Sequence, residues 1–279
     1  MGANLALPQE ELDKIIKSVK INHGFDFSGY AMTSFSRRIV RFLEKNNFKD
    51  ADEMTAKLSG NKEFFEFFEF FINEVTVNTT DLFRDPGFWF QFRKRLVKKF
   101  QKLDRIRIWH AACSSGEEMI SMAILLKEEG LLHKTTFLGS DINNDIINTA
   151  KSHRYHSWRL KQYEKNYEEF EGKAKLSDYY KMDGNYLQFD KNLLANAEFR
   201  NFNLVKDSQY KKFDLILCRN VLIYFTKDQQ AKVIDLLSDS IDGKGYLVLG
   251  AQESISWHKN TDAFFSISND FKIFKKMHL

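Results

Sequence analysis

Residues 106–126 read IRIWHAACSSGEEMISMAILL, and this stretch decides the fold. It opens on a short apolar run that suits a buried strand and closes on an apolar-rich pattern that suits a helix. Between them lies a loop of small residues, 111–116, followed at once by Glu117 and Glu118. A helix start offers unpaired N–H groups and partial positive charge, so such loops often hold phosphates. Two carboxylates repel a phosphate. A dinucleotide site would also need the G-x-G-x-x-G spacing that lets backbone approach a pyrophosphate, and this loop holds only Gly116. Its chemistry suits a ligand that brings positive charge.

Outward from the loop, strands alternate with helices. Residues 106–110 (IRIWH) predict a first strand and 117–129 a helix. Residues 135–141 (TTFLGSD) predict a second strand and 143–151 (NNDIINTAK) a helix. A third strand is expected at 197–204 (AEFRNFNL), and a fourth at 213–220 (FDLILCRN) with a helix near 228–240 after it. A fifth follows at 245–251 (GYLVLGA), and 264–276 reads as a closing hairpin turning near Asn269 and Asp270. This order predicts a mainly parallel, doubly wound α/β sheet. Residues 157–196 interrupt it with many charges, several tyrosines and one strand-like piece, NYLQF; they read as an inserted small subdomain.

Residues up to about 73 read as helical. In PQEELDKIIKSVKINHG, Leu12, Ile15, Ile16 and Val19 recur at helical spacing, and Gly24 fits a stop. TSFSRRIVRFLEKNNF can start at Thr33 or Ser34 as N-cap. It places Phe35, Ile39, Phe42 and Leu43 on one face and Arg37, Arg38 and Arg41 largely on another. In NKEFFEFFEFFINEVTVN, Glu63, Glu66 and Glu69 recur every third residue. Such a stripe drifts around a 3.6-residue helix, so phenylalanine covers most of the circumference and the helix needs partners on two sides.

The 279 residues carry 42 Lys+Arg against 38 Asp+Glu, too balanced to imply nucleic acid. Two cysteines, Cys113 and Cys218, imply no disulfide framework and favour a reducing compartment. The N-terminus lacks a basic-then-apolar signal pattern, and no apolar run approaches the length of a membrane span. The expectation is a cytoplasmic protein with no membrane insertion. His153 and His156 stand three apart with no third ligand suggested, so no metal is expected.

Ligands of open α/β sheets sit at the carboxyl ends of the strands. Those ends carry the 111–116 loop, Asp141, the region of Asn203, and Cys218-Arg219-Asn220. Asp141, ending the second strand, can accept hydrogen bonds from both hydroxyls of a ribose; it can equally cap the following helix. S-adenosylmethionine fits such a crevice: an adenosine, a sulfonium and an ammonium, with no phosphate. Glu117 or Glu118 can face the ammonium, or either can simply stabilise the helix dipole.

The segments ACSSGEE, GSDINND, FRNFNL, FDLILCRNVLIYF and the upstream VNTTDLFRD together resemble the CheR-type chemotaxis receptor methyltransferases. CRNVLIYF and NTTDLFR are the specific pieces, and the likeness runs from the N-terminal helices to the closing hairpin. It implies a class I methyltransferase-like sheet, an all-α N-terminal domain over 1–75 for receptor docking or as a lid, a linker over 76–104, and a catalytic domain over 105–279. It implies transfer of a methyl group from S-adenosylmethionine to glutamates on the cytoplasmic helical bundle of a chemoreceptor, giving glutamyl methyl esters and S-adenosylhomocysteine. By the same resemblance, Asn78, Thr80 and Arg84 lie over the cofactor. Ala112, Cys113, Glu117, Glu118 and Asp141 hold its methionyl and ribose parts, and Asn203 and Leu204 lie beside the adenine. Arg219, Asn220 and Tyr224 form the active-site run, with Arg84, Arg219 and Tyr224 as catalytic candidates. Some members dock a receptor's C-terminal peptide on a glycine-containing loop of the insert; here YYKMDGNYLQF has only Gly184, which favours an enzyme without that pentapeptide tether.

The chemistry agrees. A glutamate nucleophile is already ionised at neutral pH, so no general base is required. Arginine can hold one carboxylate in its planar fork. Arg219 can instead form a structural bridge to Asp214 or a neighbour, and Tyr224 can simply pack. The face with Arg37, Arg38 and Arg41 is either solvated or docks the acidic receptor helices. Nucleic-acid methyltransferases would need a Pro-Pro-aromatic or Pro-Cys motif, and Pro8 and Pro86 are isolated. The remaining alternatives are a receptor-binding module that senses S-adenosylmethionine without turnover, and a methyltransferase acting on another substrate.

Overall fold

A computed structural model describes residues 7–23, 27–28, 30, 32–59, 67–68, 70–71, 74–75, 80–209, 211–259 and 261–277. The chain divides into two compact units, residues 1–78 with 222–230, and residues 79–221 with 231–279. Residues 222–230 fall within the 105–279 span expected for the catalytic domain, and their contacts group them with the N-terminal helices.

In the first unit, α1 (Gln9–His23), α2 (Met32–Lys45) and α3 (Ala51–Leu58) follow in order. Leu12, Ile15, Ile16 and Val19 of α1 and Phe35, Ile39, Phe42 and Leu43 of α2 are buried as the spacing requires. Helix α2 begins at Met32, so Thr33 and Ser34 lie inside it and neither is its N-cap. Phe27 stacks on Phe35 at 4.5 Å, and Phe71 meets Phe42 edge-on at 5.3 Å. Most of the phenylalanine-rich segment, including Glu63, Glu66 and Glu69, lies outside the described residues; Phe68 and Phe71 are buried and Phe70 is exposed. Tyr30 bridges to Phe225 of the 222–230 segment, the two rings edge-to-face at 5.6 Å.

The second unit opens with α4 (Pro86–Phe100) and is built on β1 (Ile106–Ala111), β2 (Thr135–Asp141), β6 (Ala197–Asn201), β7 (Phe213–Cys218), β8 (Ile241–Leu249), β9 (Phe264–Ser268) and β10 (Ile273–Lys276). The order is β6-β2-β1-β7-β8-β10-β9. Pairs among the first five are parallel, and β10 runs antiparallel to β8 and β9. The central strands carry almost unbroken apolar runs because both faces are covered. Helices α5 (Glu117–Glu128), α6 (Asn144–Ser152) and α8 (Lys227–Ser240) stand near their expected places. The third strand ends at Asn201, two residues short of Asn203, where the chain enters a turn.

The small subdomain starts earlier than 157 and holds more than one strand. β3 (Arg154–His156), β5 (Tyr186–Phe189) and β4 (Tyr180–Asp183) form an antiparallel sheet in the order β3-β5-β4, with α7 (Leu160–Glu169) between β3 and β4. β3 has three residues and buries only Tyr155, too little to show an alternation in sequence.

Asn143 caps α6: its side-chain oxygen accepts the N–H groups of Asp145 (2.9 Å) and Ile146 (3.1 Å). This overturns the capping alternative for Asp141. Asn143→Ala should cost about 1 kcal/mol, read as a lower urea midpoint at an unchanged slope.

Candidate active site

The sheet order reverses direction at β1: the chain runs from β1 outward through β2 to β6, then returns to β7 on the other side. A crevice opens at such a switch point, outside the carboxyl ends of the strands. The loops after β1 and β7 flank it.

The loop after β1 is shaped by left-handed residues: Ala112 at φ 62°, Ser114 at φ 50° and Gly116 at φ 90°. Gly116 is also held close to α6, since a Cβ there would stand 2.9 Å from the Ala150 Cβ. Three of the loop's N–H groups are already engaged. Cys113 donates to the Ser140 carbonyl (2.8 Å), Gly116 to the Cys113 carbonyl (3.1 Å), and Ser114 to the Asp141 carboxylate (2.9 Å). A phosphate would find these donors occupied by the chain's own oxygens, one of them charged.

The two glutamates have different surroundings. Glu117 is 1% exposed and turns toward the small subdomain. Its carboxylate accepts from the Ser115 hydroxyl (2.6 Å) and the Tyr163 hydroxyl (3.1 Å), with the Arg159 guanidinium at 3.6 Å. Burial pushes its carboxyl up to about 7, against the hydrogen bonds and the arginine. Glu118 lies between His110, whose Nδ1 is 2.9 Å away, and Arg219 at 3.0 Å. Burial alone would raise its carboxyl; the His110 hydrogen bond and the Arg219 charge outweigh that and hold it below the usual carboxylate range. Asp141 is raised by burial, partly offset by the N–H groups of Ser114, Asn143 and Ile142.

Arg219 is fixed on three sides. Its guanidinium donates to Asp85 (2.7 Å) and Glu118 (3.0 Å) and lies 4.2 Å over the Phe88 ring. Asp214, the alternative partner, is taken by Arg107 at 3.0 Å. Asp85 occupies the N-cap position of α4 in a left-handed conformation, φ 59°, and makes no side-chain cap. Its carboxylate reaches Arg219 instead. Arg84 sits between two left-handed residues, Phe83 (φ 48°) and Asp85, and its carbonyl accepts the Trp89 indole N–H at 3.0 Å. Phe83 is locked by its own N–H to the Ser121 hydroxyl (2.7 Å) and by stacking on Phe170 at 4.4 Å. The Thr80 carbonyl accepts from Arg159 at 3.0 Å.

The second unit thus brings together Ala112, Cys113, Glu118, Asp141, Arg219 and Asn220 around the strand ends, with the 80–85 turn tied on through Asp85. Asn203 makes its own turn, accepting the Val205 N–H (2.9 Å) and donating its N–H to Asp207 (2.7 Å); Leu204 is buried beside it. Asn78 lies outside the described residues. Tyr224 belongs to the first unit, where the Arg38 guanidinium stands 5.5 Å over its ring. Arg38 also donates to the Val75 carbonyl at 3.3 Å, and burial lowers its basicity, so of the three arginines of α2 only Arg37 and Arg41 are exposed. Cys113 and Cys218 are buried free thiols.

Among the described residues, the buried Ser114 Oγ, His110 Nε2 and Arg219 Nε have no hydrogen-bond partner. A crevice with carboxylates and an unsatisfied hydroxyl fits a cationic nucleoside. Residues 78–272 match the family described as CheR methyltransferase, SAM binding domain, and residues 10–76 its all-alpha domain. The chain belongs to the CheR methyltransferase family. It is 32% identical over 95% of its length to Pseudomonas putida Cher3, covering 96% of that protein, whose name states a methyltransferase and no substrate. It is 30% identical to the chemotaxis protein methyltransferase of Listeria innocua over 89% of this chain and 92% of that one. The Borreliella burgdorferi protein of the same name is 29% identical, with 93% of each chain covered. The CheR-family chain is therefore an S-adenosylmethionine-dependent methyltransferase with a class I fold.

His110 and Asp85 escaped the sequence reading of this site. His110 stands in the first strand as an ordinary buried position, and Asp85 is one acid in a charged turn; only the structure shows them on Glu118 and Arg219.

Glu117 generates a pH prediction. Its folded-state carboxyl keeps a proton up to about 7, whereas an unfolded glutamate loses it near 4.3. Between those values the folded state binds more protons, so stability falls as pH rises. The melting temperature of the native protein should drop between pH 5 and pH 8, and Glu117→Gln should lessen that drop.

Proposed function

We propose that this methyltransferase esterifies glutamate side chains on the helical cytoplasmic region of a chemoreceptor. The observation that carries the reading is the polarity of the crevice: Glu118 and Asp141 stand at the strand ends, and the N–H groups of Cys113, Ser114 and Gly116 are occupied by the chain's own oxygens. Family membership and the relatives named as chemotaxis methyltransferases support the choice of substrate.

The cofactor supplies an electrophilic methyl group when bound. On the protein side, Glu118 offers negative charge for an ammonium, held in place by His110 and Arg219. Asp141 would accept ribose hydroxyls with the carboxylate oxygen capacity left by Ser114 and Asn143. Asn203 and Leu204 would hold the base, and Thr80 and Arg84 would cover the ligand. The glutamate to be methylated needs no proton removed, so the task is orientation and exclusion of water. Arg219, pinned between two carboxylates, serves as a fixed floor, and Arg84 of the same unit is the residue assigned to the incoming side chain. Arg37 and Arg41 offer positive charge to an acidic helical surface, and the short Gly184 turn of the small subdomain favours recognition without a C-terminal pentapeptide.

Incubation with methyl-labelled S-adenosylmethionine and a chemoreceptor cytoplasmic fragment should place base-labile label on glutamates of that fragment. Alkali-stable label, or none, overturns the reading. Arg37→Glu with Arg41→Glu should raise KM for the fragment several-fold at low salt, with the effect shrinking at high salt.

A further inference from the structure

Glu253 lies in the turn after β8 and is 4% exposed. Its two carboxylate oxygens accept three backbone N–H groups: Asn220 at 3.0 Å, Val221 at 2.9 Å and Gly250 at 2.5 Å. Asn220 is left-handed at φ 61°, a conformation that asparagine tolerates better than most residues. It turns two successive N–H groups toward one point, a concavity suited to an anion. Glu253 is the anion that fills it. Gly250 makes the approach possible: a Cβ there would stand 2.8 Å from the Asn220 nitrogen, 2.8 Å from a Glu253 oxygen and 2.9 Å from the Asn220 side-chain nitrogen. The loop after β7 is thereby fastened to the turn after β8 through charge-assisted hydrogen bonds in a buried place, where each is stronger than in water.

We propose that Glu253 is a positioning residue, which holds the Cys218–Val221 loop in the conformation that presents Arg219 and Asn220 to the crevice. The assignment rests on the reading of Arg219 and Asn220 as cofactor-side residues. Asn220 is the residue whose backbone is bent, and Arg219 precedes it, so release of the two N–H groups frees the backbone on which both side chains stand. Neutralisation with retained shape, Glu253→Gln, leaves one acceptor oxygen where two served and sets an amide N–H₂ against a backbone N–H.

The test is calorimetric titration of the full chain with S-adenosylhomocysteine, run beside thermal melting, on Glu253→Gln, Gly250→Ala, their combination, and Asn220→Ala. Glu253→Gln is expected to weaken binding by about tenfold to a hundredfold, the scale of a lost charged hydrogen bond. Gly250→Ala keeps the carboxylate and forces the two loops apart, so it should give the same defect, and the double variant should be no worse than the more impaired single one. A structural role alone predicts a lower melting temperature with affinity kept in the folded fraction, and that result overturns the proposal. Weakened binding in Asn220→Ala with native affinity in Glu253→Gln overturns the positioning role and leaves the cofactor reading intact. Native affinity in both removes the cofactor reading as well. None of these results requires the receptor, so absence of receptor methylation bears on the substrate alone.

Discussion

Carboxyl groups buried around the strand ends are the constraint around which the second unit is organised. Glu117, Glu118, Asp141 and Glu253 are all largely withdrawn from water. An isolated carboxylate in such a place would be costly. Each is made tolerable in its own way: Glu118 by a histidine and an arginine, Asp141 and Glu253 by backbone N–H groups, and Glu117 by hydroxyls and by a strong tendency to keep its proton. Two left-handed residues of the strand-end loops, Ser114 and Asn220, follow from the same constraint, because each turns its amide onto one of these carboxylates.

Much of this was legible in the sequence. The alternation of apolar runs and helical patterns gave the strand sequence of the sheet, and the loop 111–116 gave the place and polarity of the crevice. Period and composition report burial, and burial is set mainly by hydrophobicity. The remainder was hidden because it depends on pairings distant along the chain. Asp85 carries no sequence signal of its own, yet it grips Arg219, 134 positions away. Glu253 stands in AQES, a stretch with no sequence signal. Arg38 has the same local pattern as Arg37 and Arg41, yet its guanidinium is drawn over Tyr224. β3 is too short for its pattern to exceed chance.

The two glutamates of the GEE run illustrate how adjacent identical residues acquire distinct roles. They project from successive positions of α5, about 100° apart around the helix axis. One turns into the tyrosines of the small subdomain and the other toward the β7 loop. The insert therefore reaches the start of α5 through Glu117, Tyr163 and Arg159, and Arg159 extends that link to Thr80 and Asp81.

The grouping of residues 222–230 with the N-terminal helices makes the first unit discontinuous along the chain. No single cut separates the two bodies. A fragment beginning near residue 79 would retain Tyr224 but lack Arg38 and Tyr30, the side chains against which that segment rests. The helical portion expressed alone would have the complementary gap. Genetic exchange of the N-terminal helices between relatives would thus have to carry the nine-residue return segment along with them.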